Sequence, residues 1–145
     1  MKGSAVKGLF LEDLSIGQSA ELTKTVTEKD IASFAEVTGD VNPVHLDEAY
    51  AATTPFKTRI AHGMLSAGYI SAVIGTKLPG PGAIYVGQAL RFKRPVKIGD
   101  EVHTKCTITA IDEEKARITL ETVCTVGDKA VVEGEATIMV PRREG

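Results

Sequence analysis

The sequence predicts an α+β fold in which a curved antiparallel sheet of about five strands wraps one central helix. Three observations carry this expectation. The stretch from His62 to Thr76 is apolar on nearly every side and studded with small residues, the pattern of a helix buried within a fold. After it, the chain alternates polar and apolar residues in runs of strand length separated by turn signals. Ahead of it lies a polar segment that fits neither pattern, Thr38-Gly-Asp-Val-Asn-Pro-Val-His-Leu-Asp47.

Ser19 to Thr27 alternates weakly and is rich in β-forming residues, so it reads as a first strand. Thr27 can cap a helix, with acidic Asp30 three residues on, and Ile31, Phe34, Ala35 and Thr38 follow at helical spacing. Asn42-Pro43 is a turn signal, because proline pushes the residue before it towards extended geometry. Asp47 is expected to cap a short helix reaching Ala52, and Pro55 breaks a loop from Thr53 to Arg59. The central helix contains Gly63, Gly68 and Gly75, which lower helix propensity, so packing must hold it. Leu78-Pro-Gly-Pro-Gly82 cannot continue it and reads as a helix stop.

Four strands are expected after that stop, over 83–94, 102–111, 117–126 and 130–140. The first places Ile84, Val86, Leu90 and Phe92 on one parity. The second turns Val102, Cys106, Ile108 and Ala110 inward, and the third Ile118, Leu120, Cys124 and Val126. Joined by the turns at Asp112–Lys115 and Gly127-Asp128, they read as a meander of successive neighbours with one dry face.

A chain of 145 residues reads as one domain, 1–145, with residues 1–8 and 142–145 expected to fray. Hydrophobic residues at 43% and charged residues at 25% are ordinary for a soluble globular protein. A net charge of −2 argues against a nucleic-acid or membrane partner, and the lack of Trp with 5% aromatics argues against a base-stacking platform. No apolar run approaches the ~20 residues that span a bilayer, and the first residues lack the apolar core of a signal peptide. Two cysteines, Cys106 and Cys124, make no disulfide framework, and both lie on inward parities. A cytoplasmic protein with reduced thiols is expected. Three histidines with no matching cysteine spacing do not suggest a zinc site, and no metal or other cofactor is expected.

Chemistry concentrates at Asp40 and His45, an acid and an imidazole on either side of Asn-Pro. Aimed at one water, they can carry general acid–base catalysis near neutral pH. Asp47 reads as a cap, His62 as a hydrogen-bonding residue at a helix start rather than an acid or base, and His103 as solvent-facing on a polar parity.

The stretch from Phe34 through Thr38-Gly-Asp-Val-Asn-Pro-Val-His-Leu-Asp47 to Ala49 resembles the signature of MaoC-like hydratases. Arg59-Ile-Ala-His-Gly-Met-Leu65 looks like the segment that opens the central helix in that family. Tyr85-Val-Gly-Gln88, Phe92-Lys-Arg-Pro-Val96 and Gly99-Asp-Glu-Val102 extend the likeness, which runs from about Ile16 to Val140. The resemblance implies the hotdog fold, whose sheets commonly pair across an edge to give a homodimer. It also implies an R-specific enoyl-CoA hydratase, acting on an acyl-CoA thioester in fatty-acid metabolism or polyhydroxyalkanoate precursor supply. In that family Asp40 and His45 would activate one water, and Asn42 matches the position that orients them.

Hydration of an enoyl thioester builds negative charge on the thioester oxygen. The head of the central helix offers free N–H groups and the positive end of a dipole, and Gly63, lacking a Cβ, admits a ligand against the backbone. Its N–H is the expected oxyanion donor, and the resemblance points to the same glycine. Ala67, Ser71 and Ile74 share a helix face with Gly63 and are expected to line the acyl tail site. Lys57, Arg59, Lys93 and Arg94 either meet the CoA phosphates or form a solvated basic face. Three other functions compete: a thioesterase on the same fold, a dehydratase of acyl-carrier-protein substrates, and a non-catalytic acyl-CoA-binding module.

Overall fold

Alternating residues become strands where one side of the pleat finds an apolar partner, and here that partner is a single helix. In the computed structural model, whose described residues are 7–144, β1 (Ser19–Thr25) leads into α1 (Glu28–Thr38). Two single-turn helices follow, α2 (Pro43–Leu46) and α3 (Glu48–Ala51), then the long α4 (Gly63–Thr76). The chain ends in β2 (Ile84–Phe92), β3 (Glu101–Asp112), β4 (Arg117–Val126) and β5 (Lys129–Met139). All five strands join one curved antiparallel sheet in the order β1-β3-β4-β5-β2. This is the α+β architecture of the hotdog fold, with α4 packed against β1, β3, β4 and β5.

The expected meander holds for β3, β4 and β5 but not for β2. The turns at Glu113–Ala116 and at Gly127 are tight, with Asp112 Oδ1 accepting from the Lys115 N–H at 3.0 Å and Gly127 at φ 63. They force hairpins. The longer, proline-broken segment between β2 and β3 instead crosses the sheet, so β2 pairs with β5 at the far edge and β1 takes the free side of β3.

Val102, Thr104, Cys106 and Ile108 of β3, Ile118, Leu120, Thr122 and Cys124 of β4, and Ala136 and Ile138 of β5 are all buried. Their apolar members cluster with Ile70, Val73 and Ile74 of α4. Thr104 satisfies its hydroxyl against Cys124 Sγ at 3.4 Å. Ala110, expected inward, is exposed because the register shifts between Ile108 and Ala110, and Val126 is only half-buried. Both cysteines are free and buried, and burial pushes the Cys106 thiol up to about 12.

Two surfaces stay open. α4 buries Ser66, Tyr69, Ile70, Val73 and Ile74, yet leaves Gly63, Met64, Gly68, Ser71 and Gly75 exposed, so its all-round apolar character is only half used within one chain. Edge strand β2 carries a bulge between Tyr85 and Gly87, and Ile84, Val86 and Phe92, expected to face a dry interior, are 57%, 44% and 54% exposed.

The ends of the described chain are tied to each other. The Leu9 and Leu11 N–H groups donate to the Pro79 and Pro141 carbonyls at 2.7 and 2.9 Å. Arg142, expected to fray, donates to the Glu113 carbonyl at 2.6 Å, and Arg143 pairs with Asp13. Residues 1–6 and 145, also expected to fray, lie outside the described residues.

Candidate active site

The site begins where α1 stops. The capping box at its head forms as the sequence predicts: the Thr27 N–H donates to Asp30 Oδ2 at 3.0 Å and the Asp30 N–H to Thr27 Oγ1 at 3.1 Å. At its tail Gly39 adopts φ 82, a left-handed conformation that suits glycine, and its N–H closes on the Ala35 carbonyl at 2.8 Å. The chain turns there and presents Asp40. Thr38 Oγ1 accepts the Asp40 N–H at 3.1 Å, and the Asn42 N–H donates to Asp40 Oδ1 at 3.4 Å.

Asn42-Pro43 forms more than a turn. Asn42 Oδ1 accepts the Val44 N–H at 3.1 Å as an N-cap, and Pro43 takes the first helical position, so the segment becomes the single turn α2. The signals that read as a turn are also helix-start signals, and the Asp47 N–H, which donates to the Pro43 carbonyl at 2.8 Å, completes that turn. His45 therefore sits on a helical turn and is buried, 8% exposed. Asp47 caps α3 as expected, accepting from the Tyr50 N–H at 3.1 Å.

His45 is held from several sides. Its Nδ1 lies 2.8 Å from the Ile60 carbonyl. A carbonyl only accepts, so Nδ1 carries the hydrogen and Nε2 of the neutral ring keeps a lone pair. Arg59 Nε donates to the His45 carbonyl at 2.7 Å, and Arg59 Nη1 pairs with Glu28 of α1 at 2.9 Å. Glu48 of α3 accepts from the Arg59 N–H at 3.1 Å. Arg59 is thus committed inward, while Lys93 and Arg94, also considered for CoA, border the cavity at the head of α4.

His62 is the N-cap residue of α4, 2% exposed. Its Nε2 donates to the Asp40 carbonyl at 2.9 Å, and its ring stacks on His45 with centroids 3.8 Å apart and planes inclined by 29°. Phe34 packs on it at 4.7 Å. The result is convergence: Asp40, His45 and His62 each offer a polar side-chain atom within 4.8 Å of the others. The two rings lie face to face, a stacked π-contact.

Gly63 starts α4, so its N–H has no intrahelical acceptor. A cavity of about 450 Å³ opens beside it, bordered by Phe56, Ile60, Met64, Phe92 and Val96. Asp40 and His45 do not border that cavity; Ile60, which holds His45, and Gly63, which follows His62, connect it to them. A Cβ on Gly63 would lie 2.6 Å from the Phe92 ring. The structure thus gathers Asp40, Asn42, His45 and Gly63 at one end of α4. Along the helix, Ala67 is half-buried, Ser71 exposed and Ile74 in the core, and none of them borders the cavity.

The residues that the sequence did not mark as functional are the ones that hold others. The Ile60 carbonyl has no sequence signature. Arg59 reads as a CoA-phosphate contact or part of a solvated basic face, and Glu48 carries no signal. His62 did carry a signal, its position directly before Gly63.

Burial holds the His45 imidazole below its ordinary pKa of 6.5; the Ile60 carbonyl opposes this, His62 adds to it and Asp40 opposes it. The unfolded chain therefore takes up this proton more readily than the folded one. Stability from this source is full above about pH 6.5, declines as pH falls, and levels off once His45 protonates in the folded state too. Urea midpoints measured from about pH 7.5 down to about pH 5 should fall, and His45→Gln should flatten part of that slope. Identical slopes would show that His45 titrates alike in both states.

Residues 13–132 match the family model described as MaoC like domain. An (R)-specific enoyl-CoA hydratase of Rhodospirillum rubrum is 60% identical over 134 residues, covering 92% of this chain and 93% of the relative. The unliganded R-hydratase PhaJ1 of Pseudomonas aeruginosa superposes with a TM-score of 0.89 at 51% identity, covering 95% of this chain and 89% of that one. An (R)-hydratase from Aeromonas caviae, described as involved in PHA biosynthesis, does so at 0.87 and 45%, covering 90% and 99%. With a family model spanning most of its length and relatives this similar, the chain belongs to the MaoC-like family.

Proposed function

We propose that this protein is an R-specific enoyl-CoA hydratase, a hydro-lyase that reversibly adds water to a trans-2-enoyl-CoA to give an R-3-hydroxyacyl-CoA. The observation that carries the reading is the convergence of the Asp40 carboxylate and the His45 ring beside the Gly63 amide. Because His45 Nδ1 is spent on Ile60, its Nε2 is an acceptor, and the Asp40 carboxylate is another. A water between two acceptors donates both hydrogens to them, which leaves an oxygen lone pair for the β-carbon of the substrate.

As the C3–O bond forms, the pair takes one water proton and passes a proton on to C2, so the water's OH ends on C3, its H is made good on C2 and the pair returns to its resting state. The Asp40–His45 pair acts as one coupled unit in this transfer. Meanwhile the thioester oxygen carries the π electrons. The Gly63 N–H and the dipole of α4 meet that charge, a contribution of ~3–4 kcal/mol for one well-placed donor. Asn42 keeps Asp40 in place through its own N–H.

From the cavity at Gly63 the acyl tail continues along α4 past Ala67 and Ser71, above the core residue Ile74, and Lys93 and Arg94, which border that cavity, receive the CoA phosphates. The protein is a homodimer joined through the β2 edge and the outer face of α4, a reading supported by the exposed Ile84, Val86 and Phe92. Both cysteines are free, in keeping with a cytoplasmic setting, and no helix among the described residues is long and apolar enough to cross a membrane. The product suits polyhydroxyalkanoate precursor supply, and the A. caviae relative is described as involved in PHA biosynthesis.

Crotonyl-CoA should lose its enoyl absorbance with formation of R-3-hydroxybutyryl-CoA; release of free CoA without that product would make the protein a thioesterase instead. Asp40→Asn and His45→Gln should each lower kcat by roughly 10²–10⁴-fold in a folded protein, and full activity in either would remove that residue from the mechanism. Ile74→Ala and Ser71→Phe should shift the preferred acyl length in opposite directions, towards longer and shorter chains. An unchanged preference in both would place the tail elsewhere. Light scattering should give a dimer mass, and a clean monomer would refute pairing through β2.

A further inference from the structure

We propose that His62 is a positioning residue for the Asp40–His45 pair: its ring fixes the plane of His45 while its Nε2–H fixes the main chain of Asp40. The proposal rests on the hydratase reading for its kinetic consequences and on geometry for its substance. The ring lies 3.8 Å from that of His45 between centroids, and Nε2 is 2.9 Å from the Asp40 carbonyl. His62 is also the N-cap of α4, so the next N–H along the chain is that of Gly63. Carboxylate, imidazole and amide are thus registered against one side chain, with Phe34 against its ring at 4.7 Å.

A packing role alone would not select histidine here. With Nε2–H committed to a carbonyl, Nδ1 bears a lone pair, and that atom is buried without a partner among the described residues. An unpaired buried acceptor costs stability that Phe or Leu in the same slot would not. What histidine adds is a donor at one end of a flat ring, able to grip a main-chain carbonyl and stack at once. A displacement of about 1 Å at a reacting group can cost 10²-fold in rate, so a residue that sets both partners together controls kcat rather than affinity.

The groups facing His45 are Asp40 from the loop after α1, Arg59 with its partners Glu28 of α1 and Glu48 of α3, and His62 from the head of α4. His62 and Asp40 act on the His45 proton in opposite senses, His62 disfavouring it and Asp40 favouring it. Removing the His62 imidazole therefore makes His45 easier to protonate.

Two variants separate the two functions of the ring. His62→Phe keeps the stack and loses the donor; His62→Gln keeps a donor for the Asp40 carbonyl and loses the stack. The expected result for each, in protein shown to be folded by circular dichroism, is a kcat for crotonyl-CoA hydration about 10²-fold lower with KM changed less than about threefold. The acidic limb of the kcat/KM profile should move to higher pH, and NMR titration of His45 should move the same way without substrate. Folded variants with kcat, acidic limb and His45 titration all unchanged would overturn the proposal. Loss of fold in one variant leaves the other to decide, and loss in both would overturn it by making His62 a structural residue. A wild-type protein without hydratase activity would sink the hydratase reading alone, and the His45 titration would still decide the role of His62.

Discussion

One hydrogen bond, from His45 Nδ1 to the Ile60 carbonyl at 2.8 Å, determines what the rest of the site can do. It selects the tautomer. With the hydrogen on Nδ1, Nε2 faces its neighbours as a lone pair, and burial keeps it so by disfavouring the charged ring. Were Ile60 to present a donor instead, Nε2 would carry the hydrogen and His45 could not accept from a water. The surrounding construction protects this bond. The Ile60 N–H donates to the Val44 carbonyl at 3.3 Å, the Ala61 N–H to the Val96 carbonyl at 2.7 Å, and Arg59 locks α2 to α1 through Glu28.

The arrangement divides labour between a wet and a dry member. Asp40 is exposed and His45 buried, although their polar atoms lie within 4.8 Å. An imidazole held below its ordinary pKa accepts a proton less readily in the resting state and gives one up more readily after taking it. A nearby carboxylate softens that by favouring the charged ring once a proton arrives. Such a balance suits a reaction run in either direction, since the same pair must take a proton from water in hydration and return one in dehydration.

Legibility followed how local each feature is. The capping box of α1, the Asp47 cap, the α4 boundaries and the β3–β5 hairpins rest on contacts between near neighbours, and the sequence carries them in Thr27–Asp30, Asp47–Tyr50 and Gly127. The place of β2 was not legible, because strand order is decided by which edge offers an apolar partner, and alternation looks alike at either edge. The α2 turn hid behind Asn-Pro, whose chemistry serves a turn and a helix start equally. In the site, the pair Asp40–His45 and the glycine stood out by residue type. The Ile60 carbonyl did not, since main-chain acceptors leave no mark in the sequence, and Arg59 read as a phosphate contact or a solvated charge because its partners lie well back in the chain, Glu28 thirty-one residues away and the His45 carbonyl fourteen.

The exposed half of α4 belongs to the same logic. Within α4, Gly68 costs roughly 1 kcal/mol relative to alanine, and Gly63 and Gly75 at its ends bring no side chain to pack. The buried Ile70, Val73 and Ile74 offset that loss on the sheet side only. On the outer side the small residues bring no compensating burial within one chain, so their value must lie in close approach by something else. At Gly63 close approach is already visible: the Phe92 ring occupies the place of a side chain, and it comes from the edge strand whose apolar residues are also uncovered. The head of α4 and the β2 edge therefore share a boundary through one aromatic ring. In the homodimer proposed above, the partner covering that edge would press on Phe92, and through it on the amide that receives the thioester oxygen in the hydratase reading. In that proposal assembly and catalysis meet at one glycine, whose missing Cβ leaves room for the Phe92 ring.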